Sequence, residues 1–76
     1  MNNEKRKRVR TVIDIIQKCS DDIETIRDME QDALDNIPEN FQDSDRYANI
    51  EEAVGHLEDA ESALEEAIQN LEEAVS

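Results

Sequence analysis

Residues Ile50–Ser76 read IEEAVGH, LEDAESA, LEEAIQN, LEEAVS when cut every seventh residue. Taking Ile50 as the first position of a heptad, one row is Ile50, Leu57, Leu64, Leu71, and a second is Ala53, Ala60, Ala67, Ala74. A third row, Val54, Glu61, Ile68, Val75, completes an apolar stripe. The two rows on the opposite face are wholly acidic: Glu51, Glu58, Glu65, Glu72 and Glu52, Asp59, Glu66, Glu73. A seven-residue repeat held over four heptads is the signature of an amphipathic helix, since residues three and four apart share one face. The apolar stripe faces a second helix, and the all-alanine row lets that helix approach closely.

The first half supplies the partner. Val9, Val12, Ile13, Ile16, Cys19, Ile23, Ile26, Met29, Ala33, Leu34 and Ile37 recur at steps of three and four. Large β-branched side chains here would fill the space the alanines leave. Glu30 interrupts the stripe and lies three residues from Arg27, a spacing suited to an ion pair on the stripe edge. Between the halves stands DNIPENFQDSDRY, Asp35–Tyr47. Pro38 disfavours helical geometry at Ile37, so the first helix ends near Asn36. Pro38 and Glu39 suit the first turn of a short helix carrying Phe41, and Ser44 or Asp43 caps the second long helix.

The expected fold is all-α: one domain over residues 1–76, an antiparallel hairpin of helices at about 4–36 and 44–75, each roughly 50 Å long. Folding near Asn40 sets Val9 by Leu71, Ile16 by Leu64 and Ile23 by Leu57. It also sets the basic run Lys5–Arg10 by Glu65, Glu66, Glu72 and Glu73. Each cluster opposes its own helix dipole, so placing the clusters side by side relieves both. A hairpin has a single seam and a thin core. Ile13, Ile15, Met29, Leu34, Tyr47, Val54, Ile68 and Val75 flank that seam, and a second copy would bury them in a homo-oligomeric bundle.

Composition narrows the function. The chain has 76 residues and a formal net charge of −13. That charge opposes direct binding to nucleic acid or anionic lipid, and one Phe, one Tyr and no Trp make no stacking platform for single strands. No apolar run spans a membrane and none resembles a secretion signal. Cys19 is the single cysteine and reads as a small core hydrophobe in a reducing compartment. With one His, one Gly and no nucleophile motif, nothing builds a pocket for a tuned acid and base, so no enzyme and no cofactor are expected. Glu52 and His56 share a helix face, but the second Glu-x-x-His of a bundle di-iron site is missing. Asp43–Asp45 lacks the glycine and terminal Glu of a calcium loop. No metal site is expected, and His56 reads as solvated. Gly55 carries a mid-helix cost of about 1 kcal/mol relative to Ala.

Two sets of residues remain as candidates for binding. Arg27, Arg46 and Tyr47 near the connection, with Asn36, Asn40 and Phe41, supply guanidiniums, aromatic faces and amides, the parts of a site for a small anionic, nucleotide-type ligand. The plainer reading pairs Arg27 with Glu30 and Arg46 with an aspartate. The second set is the acidic face: Glu51, Glu52, Glu58, Asp59, Glu65, Glu66, Glu72 and Glu73. Residues 47–76 hold nine acids and no Lys or Arg, where ordinary surface helices mix the two signs. Such a face either keeps a bundle soluble or occupies the basic groove of another protein as a nucleic-acid mimic. The basic N-terminal run either neutralises the acidic helix end or binds phosphate.

One stretch also carries a resemblance. Arg27, Asp28, Glu30, Gln31, Ala33, Asp35, Asn36, Ile37, Pro38, Glu39, Phe41, Gln42, Ser44, Asp45 and Arg46, followed by L-E-x-A heptads, resemble an uncharacterised family of small, acidic helical proteins from phages and prophages of gut bacteria. The likeness runs over nearly the whole chain, and its specific part is the connection, of the form D-N-[MI]-P-E-x-[LF]-Q-x-S-[DE]-[RK]. It implies a genetic setting rather than a mechanism: an accessory protein of a mobile element, acting in the host cytoplasm on host machinery or host defence. In that setting two functions are expected. One is an oligomer that sequesters a nucleotide-type immune signal at the Arg/Tyr connection. The alternative is an acidic antagonist that fills a basic groove on a host nuclease or defence protein.

Overall fold

The computed structural model describes residues 1–76 and is all-helical. Helix α1 spans Asn3–Asp35, a 3₁₀ turn spans Glu39–Phe41, and helix α2 spans Asp45–Val75. The molecule measures 59 × 15 × 14 Å. A helix of 33 residues is itself about 50 Å long, so the two helices lie side by side as the expected antiparallel hairpin. No helix is long and apolar enough to cross a membrane.

Local chemistry sets the helix ends. The Asn2 side chain accepts the Lys5 backbone N–H at 2.8 Å and starts α1. The Asn36 N–H closes the last turn on Asp32 O at 3.1 Å. Ile37 turns inward and is buried. Pro38, at φ −58° and ψ 148°, leaves helical geometry and opens the 3₁₀ turn, whose Phe41 N–H reaches Pro38 O at 2.8 Å. The Ser44 hydroxyl then accepts the Tyr47 N–H at 3.2 Å and starts α2.

The seam is a pair of heptad rows on each helix. On α1 every residue of Val9, Ile16, Ile23, Glu30, Ile37 and of Arg6, Ile13, Ser20, Arg27, Leu34 is buried or half-buried. On α2 the same holds for Ile50, Leu57, Leu64, Leu71 and for Tyr47, Val54, Glu61, Ile68, Val75. The alanine row borders the seam, with Ala53, Ala60 and Ala67 half-buried like the leucine row and Ala74 exposed. The expected packing is corrected in two ways. Leu34, Val54 and Ile68 are buried within the hairpin itself rather than left for a second copy. Cys19 is exposed and not a core residue, while Ser20 beside it is buried. Of the apolar side chains only Leu34, Ile37, Val54 and Ile68 are buried, and no large side chain is wholly enclosed.

Val12, Ile15, Ile26 and Met29 form a second stripe on α1 that remains 44 to 64% exposed. These residues recur at the same steps of three and four as the seam, but on the adjoining face. The basic run and the acidic end of α2 share one end of the hairpin, yet no ion pair within 4.0 Å joins them.

Candidate binding cleft at the hairpin tip

The turn that closes the hairpin also shapes a cleft of about 500 Å³, lined by Ala33, Asn36, Ile37, Pro38, Phe41, Ser44 and Arg46. Each wall follows from the local fold. Ile37, buried, pins the chain down and leaves Asn36 at the rim. The 3₁₀ turn lifts Phe41, which is 57% exposed. Capping by Ser44 places Arg46 in the first turn of α2, on the side that carries Ala33 of α1. A volume of this size suits a small molecule. The cleft offers a cationic fork, an aromatic ring and an amide against an apolar floor.

Arg46 makes no ion pair with any carboxylate, so its donors are free for a ligand. That separates it from Arg27, whose Nη2 lies 3.2 Å from Asp28 Oδ1 and whose Nε lies 3.3 Å from Glu61 Oε1. The hydrogen bond to Asp28 raises the Arg27 pKa above its ordinary value against partial desolvation, and the charge of Glu61 adds to the rise. Arg27 is therefore a seam residue, not a cleft residue, and its partners are Asp28 and Glu61 rather than Glu30. Of the six residues expected at this corner, the fold brings together Asn36, Phe41 and Arg46. It places Tyr47 half-buried in the seam and Asn40 exposed beside the cleft. Ala33, Ile37, Pro38 and Ser44 complete the cleft. In the sequence Ala33 and Ile37 belong to the apolar stripe, Pro38 ends the first helix and Ser44 caps the second, and only the folded turn makes them walls.

The acidic rows lie as expected. Glu51, Glu52, Glu58, Asp59, Glu65, Glu66, Glu72 and Glu73 are all exposed. Their one basic contact is His56 Nε2 at 3.6 Å from Glu52 Oε1, with both side chains largely exposed. Near the end of α2 a shallow hollow of about 390 Å³ is lined by Gln69, Glu72, Glu73 and Ser76. It holds two carboxylates and no cation, so it repels an anion.

No protein-family model matches the chain, and no curated protein or solved structure matches it.

Proposed function

We propose that this chain is a non-enzymatic binding protein that sequesters a small anionic, nucleotide-type ligand in the tip cleft, as a homo-oligomer. The observation that carries the reading is the meeting of an unpaired Arg46 guanidinium, an exposed Phe41 ring and the Asn36 amide around one cavity of about 500 Å³. Guanidinium forks grip phosphate through paired N–H donors, and a base or similar ring stacks on an aromatic face. The net charge of −13 works against an entering anion, so the local cation and the stacking ring must outweigh the global field. In the setting implied by the resemblance, the protein is an accessory factor of a phage or prophage, and the ligand is a host immune signal held in the host cytoplasm. Native mass spectrometry after incubation with linear and cyclic nucleotides tests the reading. A stoichiometric adduct supports it, and a bare protein across the panel overturns it.

A second reading draws on the acidic rows, where all eight carboxylates are exposed and only Glu52 has a basic neighbour. That surface fits the basic groove of a host nuclease or defence protein. Binding of that kind weakens steeply with salt.

A further inference from the structure

We propose that the exposed α1 stripe and the alanine row of α2 together form one docking face, and that its occupant is a second copy of this chain, related by a two-fold axis parallel to the helices. The inference deepens the oligomeric part of the reading above by naming the face and the arrangement.

Both rows lie on the same side of the hairpin. In an antiparallel pair, the row that precedes the seam residues on one helix shares a side with the equivalent row on the other. The tip cleft shows the pairing directly, because Ala33, from the row of Val12 and Ile26, and Arg46, from the row of Ala53 and Ala60, line one cavity. The face therefore carries large apolar side chains along α1 and methyl groups along α2.

Charge points to a second copy. The whole chain has 21 acidic residues. Along the outer rows of this side, from Lys5 to Asn36 on α1 and from Arg46 to Ala74 on α2, the only acid is Asp22, against Lys5, Arg8 and Arg46. Two chains of net charge −13 repel one another over most of their surface. This side is where they meet without apposing carboxylates. Area agrees: a side 59 Å long and 15 Å wide offers about 890 Å² in projection, close to the roughly 800 Å² per partner of a standard stable interface. Need agrees as well, since a chain of this size with four buried apolar side chains has too thin a core to stand without a staple or partner.

Side-chain size and charge choose the axis. An axis parallel to the helices lays each α1 over the partner's α2, so that Ile15, Ile26 and Met29 pack onto alanines. It also brings Lys5 and Arg8 to the negative end of the partner's α2, at its C-terminal dipole and on the side that Glu73 borders. The perpendicular axis sets bulk on bulk and stacks α1 on α1. The parallel axis produces an all-antiparallel four-helix bundle with both tip clefts at one end.

The test is the mass of the full-length protein by sedimentation equilibrium and native mass spectrometry, without any ligand. Two chains are expected for the natural sequence, and a single chain for Ile26→Glu and for Ala63→Glu, each with its helical circular dichroism kept. Ala63, in the row Asn49, His56, Ala63, Asn70 that adjoins the alanine row on this side, is exposed in the lone hairpin, which accommodates glutamate there, so loss of the dimer in Ala63→Glu reads the interface and not the fold. A natural protein that stays single at about 100 µM, or an Ala63→Glu protein that keeps the mass of two chains, overturns the proposal. Cys19 reports the axis, because it sits midway along α1. The parallel axis holds the two thiols diagonally apart and unlinked under mild oxidant, whereas rapid covalent dimer formation would overturn that axis. Mass without ligand tests the face, and ligand uptake tests the cleft, so either can fail alone.

Discussion

Arg27 Nε stands 3.3 Å from Glu61 Oε1 across the helix seam, and that contact joins a charged residue of one α1 seam row to the one charged residue of the α2 seam rows. The Glu61 side chain is only 14% exposed, and its Oε1 accepts no hydrogen bond of acceptable geometry. The contact is thus a close charge pair rather than a well-made hydrogen bond. Such a pair contributes little net stability, but removing one partner strands the other.

The first prediction concerns this pair. Arg27→Leu leaves the Glu61 carboxylate in the seam without its cation, and its thermal midpoint should fall by several degrees. Adding Glu61→Leu should restore or exceed the original midpoint, because apolar seam residues replace a costly pair. Melting curves followed at 222 nm decide it. Equal destabilisation in the single and double variants would show that Arg27 matters for packing alone.

Arg46 and Phe41 are predicted to act on ligand and not on fold, since both are exposed and neither has a partner that the helices need. Arg46→Ala should abolish binding of a nucleotide-type probe. Phe41→Ala should weaken it about 10-fold, the scale of one lost stacking contact. Titration calorimetry with any nucleotide that forms an adduct makes the comparison. Unchanged affinity in Arg46→Ala would place the ligand elsewhere.

Ser44 caps α2 through the Tyr47 N–H at 3.2 Å. Ser44→Ala should destabilise the hairpin by about 1 kcal/mol, whereas Ser44→Asp should hold or raise stability by keeping an acceptor at a helix N-terminus. Denaturant midpoints at constant slope check both.

Gly55 lies within α2, and a β-carbon built on it would meet nothing within 4 Å. Gly55→Ala should therefore stabilise the chain by about 1 kcal/mol through helix propensity. A loss of stability would reveal a partner packed against that position.

The acidic rows give an opposing test. If they engage a basic protein, Glu58→Gln, Glu65→Gln and Glu66→Gln combined should weaken that complex and flatten its salt dependence. A complex that survives high salt unchanged does not use this face.

The heptads of α2, the helix-ending Asn36–Pro38 step and the Ser44 cap were legible in the residues themselves, because periodicity and capping are local properties of the chain. They determined two helices of nearly equal length and one short connection, hence the hairpin. The exposed acidic rows were legible for the same reason. The cleft was half legible: Asn36, Phe41 and Arg46 carry recognisable binding chemistry, but Ala33 and Ile37 become its walls only when the turn closes. Periodicity could not choose between two adjoining apolar stripes on α1, because both repeat at steps of three and four. The tertiary structure decided that choice, taking the stripe that contains Ser20 and Arg27 and leaving Val12, Ile15, Ile26 and Met29 outside. The reason is that a seam joins two helices at once. Burying Leu34 and Ile37 at the turn fixes how α1 is rotated, and Glu61 on the facing row finds its counter-charge only if Arg27 points inward.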